Sequence, residues 1–430
     1  VDQRWIKTSD GSHTDRFQYG YDRNGNRFYR DSLLNDNFDE LYHADGASAG
    51  YDGLGQLSDW QRGALSDSNS DGVPDTVTTA SRTQGWDFDS LGNWDSLATD
   101  GTGVSRTHNK QNQVTAVGMA NLTFDNNGNL KTDELGTNFT FDAWSRLVSG
   151  DPTGATSITY QHDALNRRVV ENSGTATDLY YSSQWQVLEE RVGGIAKKQY
   201  VWSPVYIDAL ILRDRDTDAN GSLEERLYVQ QDANHNVTTI INTSGAVQER
   251  FALDGYGQAT FLNASWTTQT SSASDWVYLH QGGRFQAIGG SYHFRHRDFS
   301  VTLGRWLQTD PIGFADGVNL YVYAHNNATG LTDPSGLRPP TIPSGARPHQ
   351  MNGPPPFFPA PNGVGAGPLD KPSCSTINLN FNSKYCCSKQ QALLAAASCR
   401  RQGKILGTCA KITPGLDGFR FTCDCLLYTS

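Results

Sequence analysis

The chain has 430 residues, of which 37% are hydrophobic and only 19% are charged, and its formal net charge is −10. Its 43 glycines and 17 prolines disfavour a helical bundle, and its 18 tyrosines, 18 phenylalanines and 10 tryptophans disfavour disorder over the whole chain. The acidic balance disfavours nucleic-acid binding by the main body, and no run approaches the roughly 18 apolar residues of a membrane span. These features predict an all-β fold.

A short unit recurs along the first two thirds of the sequence. It begins with a residue that is usually aromatic or apolar, which is followed by an Asp, by a polar stretch containing Gly or Asn, and then by a branched or aromatic residue. The Asp positions of the eight units are Asp22, Asp52, Asp89, Asp125, Asp142, Asp163, Asp232 and Asp254. The Asp can accept backbone hydrogen bonds within a turn, and the Gly or Asn can adopt the positive φ that a tight turn requires. Each unit therefore predicts a β-hairpin.

The segments that flank these turns are rich in β-branched and aromatic residues, as strands prefer. Predicted strands include residues 121–124, 157–160 and 236–241. One hairpin alone cannot bury its apolar face, whereas a row of hairpins can do so by forming a continuous sheet. We therefore expect the repeats to form one extended β-structure.

Two loops place oxygen-bearing side chains at positions 1, 3, 5 and 9, with a glycine at position 6. The candidate ligands are Asp67, Asn69, Asp71 and Asp75 in the first loop, and Asp216, Asp218, Asn220 and Glu224 in the second. Such spacing suits Ca²⁺, which takes six to eight oxygen ligands. Position 12, a Glu in EF-hands, is Thr78 in one loop and Leu227 in the other. The alternative is an acidic hairpin turn that needs no metal, and no other cofactor is predicted.

The repeated units resemble the YD repeats of the rearrangement-hotspot (RHS) and teneurin superfamily. The segments 304–314, 317–323 and 333–337 are similar to the RHS-associated core motif, and the resemblance covers roughly residues 15–337. It implies a β-sheet that spirals into a hollow shell around a C-terminal toxin or effector segment, closed by a core plug. It also relates the chain to insecticidal toxin-complex shells and to bacterial proteins that are secreted or displayed at the cell surface.

Four regions are predicted on this basis. They are a repeat shell over 1–270, a core plug over 271–337, a Pro- and Gly-rich linker over 338–372 and a Cys-rich variable segment over 373–430. The last region contains one predicted helix, over 390–398, and all seven cysteines: Cys374, Cys386, Cys387, Cys399, Cys409, Cys423 and Cys425. Their density predicts disulfides and an oxidising destination, with one thiol unpaired; zinc binding is the competing interpretation.

A DPxG sequence begins at Asp310 and a second at Asp333, separated by the spacer 315–332. The resemblance implies that the chain cuts itself between Leu337 and Arg338, with these two aspartates in the site. Arg305 matches a charged residue of the same motif, whereas Phe314 stands where the family usually has Trp.

Two nearby carboxyls that share a proton can supply both the base and the acid that peptide hydrolysis needs. An arginine, for which we predict Arg305, can steady the ionised carboxyl or the developing oxyanion. The alternative is that each DPxG is simply a β-turn, with Asp at the first position and Pro at the second.

The sequence thus predicts the C-terminal part of an RHS-type toxin carrier that releases its own C-terminal segment by aspartate-dependent self-cleavage. Its expected partners are that segment, an immunity protein and a secretion machinery. The chain begins at Val1 and not at an initiator Met, so we expect it to be part of a longer protein; no export signal is visible. The rival hypothesis is a non-enzymatic, extracellular YD-repeat protein that binds carbohydrate or neighbouring cells. No catalytic signature is recognisable in the segment after Leu337.

Overall fold

A computed structural model describes residues 1–42, 50–286 and 288–339, which lie in the first of two compact units. The predicted linker beyond residue 339, the seven cysteines and the predicted helix over 390–398 lie outside the described residues. Within these ranges the regular elements are antiparallel strands and five short 3-10 helices. The expected all-β fold is confirmed.

The N-terminal part forms one ten-stranded antiparallel sheet and a separate small hairpin. Its strands are β1 (Asp2–Ile6), β2 (His13–Tyr21), β3 (Arg27–Ser32), β4 (Glu40–Leu41), β5 (Asp59–Arg62), β6 (Leu65–Ser66), β7 (Thr76–Val77), β8 (Arg82–Phe88), β9 (Trp94–Thr99), β10 (Thr102–His108), β11 (Val114–Val117) and β12 (Ala120–Asn121). β6 and β7 pair only with each other, and the other ten strands follow one another in chain order. Each sheet strand therefore pairs with its neighbours along the chain, as a row of hairpins requires.

A second antiparallel sheet contains fifteen strands, also in chain order. They are β13 (Thr123–Phe124), β14 (Leu130–Thr132), β15 (Asn138–Phe141), β16 (Leu147–Asp151), β17 (Ile158–His162), β18 (Arg168–Asn172), β19 (Ala176–Tyr181), β20 (Val187–Val192), β21 (Ile195–Trp202), β22 (Leu210–Arg215), β23 (Glu225–Gln231), β24 (Val237–Asn242), β25 (Val247–Leu253), β26 (Ala259–Asn263) and β27 (Thr268–Gln269). The prediction of one strand over 121–124 is wrong. The Leu122 N–H donates to the Thr115 carbonyl, and the chain passes there from the first sheet to the second.

All eight predicted Asp turns are present, and they share one hydrogen-bond pattern. At Asp89, for example, Oδ1 accepts the N–H groups of Leu91 and Asn93 at 2.8 and 2.9 Å, and Oδ2 accepts the Asn93 side-chain amide. Gly92 completes the turn at φ +74°. Because these bonds hold the carboxylate form, they lower the pKa of Asp89, against the opposing effect of its partial burial.

The last part of the described chain forms a four-stranded antiparallel sheet, which we call the plug sheet. Its strands are β28 (Arg284–Gln286), β29 (Ser291–Phe294), β30 (Arg297–Ser300) and β31 (Arg305–Trp306). The 3-10 helices of the described chain are Asp36–Phe38, His280–Gly282, Ile288–Gly290, Gly313–Ala315 and Ala324–Asn326.

The plug sheet packs into an aromatic core shared with both large sheets. The buried core side chains include Trp86 and Trp94 from the first sheet, Ile240 and Phe251 from the second, and Phe299, Trp306 and Tyr323 from the plug region. Gly304 marks the closest approach: a Cβ at this position would lie 1.9 Å from the Trp94 ring. The position of the plug is therefore fixed by its contacts with the shell strands.

Candidate active site

Both DPxG segments are β-turns. The N–H of Gly313 donates to the Asp310 carbonyl at 3.0 Å, and the N–H of Gly336 donates to the Asp333 carbonyl at 3.3 Å. The glycines have φ values of +62° and +67°, which favour glycine. The turn interpretation is thus correct, but it does not exclude chemistry, because both turns direct their Asp side chains to the same point.

That point is the guanidinium group of Arg297, in β30. Its Nη2 lies 3.0 Å from Asp310 Oδ2 and 3.6 Å from Asp333 Oδ2. The same nitrogen donates to the carbonyl oxygen of Leu337 at 3.1 Å. One buried nitrogen therefore contacts both aspartates and the carbonyl of the peptide bond at which cleavage is predicted.

The surroundings of Asp310 and Asp333, which we call the aspartate pair, alter their acidity. Burial raises the pKa of both carboxyls, while Arg297 opposes that rise. Like-charge repulsion from Asp316 and Asp333 also raises the pKa of Asp310, and repulsion from Asp316 raises that of Asp333. Asp333 Oδ2 is buried and accepts no hydrogen bond among the described residues. The aspartate pair therefore combines raised pKa values with a cation between its members, and both features are used in acid–base chemistry by two carboxyls.

Residues 334–336, which lead to Leu337, lie against the turn that joins β29 to β30. This turn spans residues 294–297. Arg295, His296 and Arg297 each bind one backbone carbonyl of residues 334–336, and the three carbonyls are consecutive. Arg295 donates to the carbonyl of residue 334, His296 Nδ1 lies 2.9 Å from the carbonyl oxygen of residue 335, and Arg297 Nε donates to the carbonyl of residue 336. Arg295 is itself fixed by an ion pair with Asp208 at 2.6 Å. The backbone before the predicted cleavage point is thus clamped at three consecutive carbonyls.

Gly336 allows this close approach. A Cβ at this position would lie 2.3 Å from the Phe294 carbonyl oxygen, a separation that real Cβ atoms do not adopt. Leu337 follows, half-buried, and its N–H donates to Asp333 Oδ1 at 3.2 Å. Arg338, on the other side of the predicted scissile bond, is exposed.

Arg305 does not lie where we predicted. Its Nη1 donates to the Asn112 carbonyl at 2.7 Å and its Nη2 donates to Asn93 Oδ1 at 2.8 Å, so it joins the plug to turns of the first sheet. The reason is strand alternation: neighbouring residues of a strand point to opposite faces. Trp306 stacks on Arg297 at 4.3 Å, so Arg305 faces away from the aspartate pair. Arg297, and not Arg305, lies beside the aspartate pair, where we expected the arginine of the site.

The two acidic loops form the same local turn but differ in how close their carboxylates lie to one another. In the first, between β6 and β7, Asp67 accepts the Gly72 N–H at 2.7 Å. In the second, between β22 and β23, Asp216 accepts the Gly221 N–H at 3.1 Å. Of the residues that the structure describes, one group brings three candidate metal ligands within 4.8 Å of one another, namely Asp216, Asp218 and Glu224.

The geometry defines a class of protein: an antiparallel β-shell of YD-repeat hairpins around a small plug sheet. Comparison with known proteins gives the family. The sequence model described as Teneurin YD-shell matches residues 68–329, more than half of the chain, and the chain belongs to this family. No helix within the described ranges is long and apolar enough to cross a membrane.

Several curated relatives are bacterial toxins. The tRNA3(Ser)-specific nuclease WapA of Bacillus spizizenii is 27% identical over 261 residues, which cover 58% of this chain and 11% of that protein. Double-stranded DNA deaminase toxin A of Burkholderia cenocepacia is 27% identical over 323 residues, covering 67% and 22%. Toxin subunit YenC2 of Yersinia entomophaga is 23% identical over 212 residues, covering 45% and 21%. The matched region therefore spans about a tenth to a fifth of each relative's length.

Among solved structures, the crystal structure of TcdB2-TccC3 aligns with a TM-score of 0.60 at 18% sequence identity. The alignment covers 78% of this chain and 18% of the other. At this identity the similarity establishes the shell fold alone.

Proposed function

We propose that this chain is part of an RHS-type toxin carrier whose plug cuts the backbone between Leu337 and Arg338 and so releases the C-terminal segment that the shell encloses. The observation that carries the proposal is the position of Arg297 Nη2, within 3.6 Å of both aspartates and 3.1 Å from the Leu337 carbonyl oxygen. Family membership and the toxin relatives support the carrier role.

The chemistry is a hydrolysis. Arg297 polarises the Leu337 carbonyl and stabilises the negative charge that develops on its oxygen. The ionised member of the aspartate pair takes a proton from the attacking water, and the protonated member gives its proton to the leaving nitrogen of Arg338. The C–N bond breaks, leaving a carboxylate on Leu337 and an amino group on Arg338.

This proposal is tested by expressing the full chain and following it on a denaturing gel and by mass spectrometry. We expect a fragment of residues 338–430 in the wild type and its loss in Asp310→Asn and Asp333→Asn. Asp214→Asn is the matched control, because Asp214 is paired with Arg226 on the exposed face of β22. A folded wild-type chain that stays intact would favour the rival hypothesis, a YD-repeat surface protein that binds carbohydrate or cells.

Carrier function also predicts properties of the remaining regions. We expect export to the cell surface or medium, disulfides among the cysteines of residues 373–430, and an immunity protein that neutralises the released segment. Reducing and non-reducing mass maps of secreted chain test the disulfides, and recovery of intact disulfide-free chain from the oxidising medium would count against them.

A further inference from the structure

The loop between β22 and β23 combines three carboxylates with a set of backbone turns. A carboxylate oxygen from each of Asp216, Asp218 and Glu224 lies within 4.8 Å of the others. The side-chain oxygen of Asn220 accepts the N–H of Ser222 at 2.7 Å, which fixes that side chain within the same loop. Carboxylate and amide oxygens are the ligands that Ca²⁺ prefers.

One oxygen of this group is buried without a partner. Asp216 is 8% exposed, and its Oδ1 accepts no hydrogen bond among the described residues. An unpaired buried carboxylate oxygen costs free energy, since its hydration is lost and nothing replaces it. A cation held by the carboxylates would satisfy this oxygen.

The charges of the loop are only partly balanced. Lys197 Nζ lies 2.6 Å from Asp216 Oδ2, whereas no ion pair within the described part of the chain reaches Asp218 or Glu224. Within the described residues, Lys197 is thus the one cation paired with the three carboxylates of this loop.

The other acidic loop provides an internal comparison. Its Asp75 directs one oxygen to the N–H and the other to the hydroxyl of Ser68, at 2.8 and 2.7 Å. Both oxygens of Asp67 accept backbone N–H groups. In the loop of residues 216–224, Asp218 and Glu224 also accept hydrogen bonds from within their loop. The two loops therefore differ in the buried, unpaired Asp216 Oδ1 and in the gathering of three carboxylates around it.

We propose that the loop of residues 216–224 binds one Ca²⁺ through Asp216, Asp218, Asn220 and Glu224, and that the loop of residues 67–75 does not. The bound ion takes over the neutralising role of Lys197 at Asp216. Lys197 borders a cavity of about 360 Å³, which leaves room for its ammonium group to move away from Asp216. Since Leu227 at position 12 offers no carboxylate, we expect a dissociation constant of about 10⁻⁴–10⁻³ M, in the range of extracellular calcium modules.

The test is calcium titration of the full chain after treatment with a chelator, followed by calorimetry and thermal unfolding, with MgCl₂ as the ionic-strength control. We expect one site per chain, a rise in Tm with CaCl₂ that MgCl₂ does not reproduce, and at least about tenfold weaker binding in Asp218→Asn. The matched control Asp71→Asn, in the other loop, should bind as the wild type does. Lys197→Met should bind calcium more tightly, because the competing ammonium group is gone.

Three results would overturn the proposal. They are the absence of a calcium-specific response in the wild type, unchanged affinity in folded Asp218→Asn, and equal loss of binding in Asp71→Asn. Unchanged or weaker binding in Lys197→Met would refute the exchange of lysine for calcium. None of these outcomes depends on self-cleavage.

Discussion

Replacement of Arg297 by methionine is the sharpest test of the candidate active site. Methionine keeps an apolar contact with Trp306 but removes the donor to the Leu337 carbonyl and the cation between the aspartates. Loss of a single oxyanion donor typically slows a reaction about 100- to 1,000-fold. Without its cation, the aspartate pair would also hold protons more tightly and lose its base. We therefore expect cleavage to slow by at least about 100-fold.

A lysine at position 297 tests whether the positive charge alone is enough or whether the shape of the guanidinium group is also needed. Arg297→Lys keeps the positive charge but lacks the planar fork that reaches the carbonyls of both Gly336 and Leu337. We expect a rate between those of the wild type and Arg297→Met. Arg226→Met is the control, because Arg226 pairs with Asp214 in an exposed position and should cleave at the wild-type rate.

The rate is measured by cell-free translation of labelled full-length chain, followed by a time course on a denaturing gel. Breaking a buried ion pair costs about 3–5 kcal/mol of stability, so the folded fraction of each variant is determined by near-ultraviolet circular dichroism. If folded Arg297→Met cleaves within about threefold of the wild type, a difference below 1 kcal/mol in activation free energy, the proposed role of Arg297 is wrong.

Three further outcomes are expected. Burial raises the pKa of both carboxyls of the aspartate pair above 3.8. Cleavage should therefore slow as pH rises through the raised pKa, because the acid is lost, and it should also slow at low pH, where the base is protonated. A flat pH–rate profile would contradict this expectation. Gly336→Ala should slow cleavage at least about tenfold, because its Cβ would meet the Phe294 carbonyl. Gly154→Ala is the control, since Gly154 also has a positive φ but lies in open space, and it should cleave at the wild-type rate. Equal rates in the two variants would argue against the role of the contacts that hold residues 334–336. Arg305→Met should lower the free energy of unfolding by about 1–3 kcal/mol in urea titrations, because the Asn112 carbonyl loses its donor. The cleavage rate of the folded fraction should not change. A large loss of that rate would mean that Arg305 does belong to the site.

The repeats were predictable because each turn is a local structure. The oxygen of one side chain captures the N–H groups two and four residues later, and a five-residue segment contains all the groups involved. The same geometry occurs at five positions that the sequence pattern did not identify: Asn109, Asp133, Ser182, Asn242 and Asn263. Four of these have Asn or Ser instead of Asp, which offers the same kind of acceptor. A pattern that accepts any of the three residues would have found these four.

The site prediction named Asp310 and Asp333 from their spacing and from the resemblance, and the structure places both carboxylates within 3.6 Å of Arg297 Nη2. The prediction failed for the arginine because that position depends on pairing in the plug sheet. We predicted Arg305 because it matches a charged residue of the family motif, whereas Arg297 lies before the motif segment 304–314. Which of two arginines faces the aspartate pair depends on strand register and side-chain alternation. Neither can be read from the motif alone.

The site is also inseparable from the shell that surrounds it. Arg297 comes from a strand of the plug sheet, while the two aspartates lie on the loops that follow it. Those loops are fixed by distant strands: the Tyr321 hydroxyl donates to the Gly128 carbonyl at 2.7 Å, and the Asn234 side chain donates to the Ala328 carbonyl at 2.7 Å. Because a displacement of about 1 Å is enough to disable a catalytic arrangement, shell strands that are not yet in place leave the aspartates and the Leu337 carbonyl out of register. We therefore expect the proposed cleavage to follow completion of the fold, which is the order of events that a carrier of an enclosed segment would require.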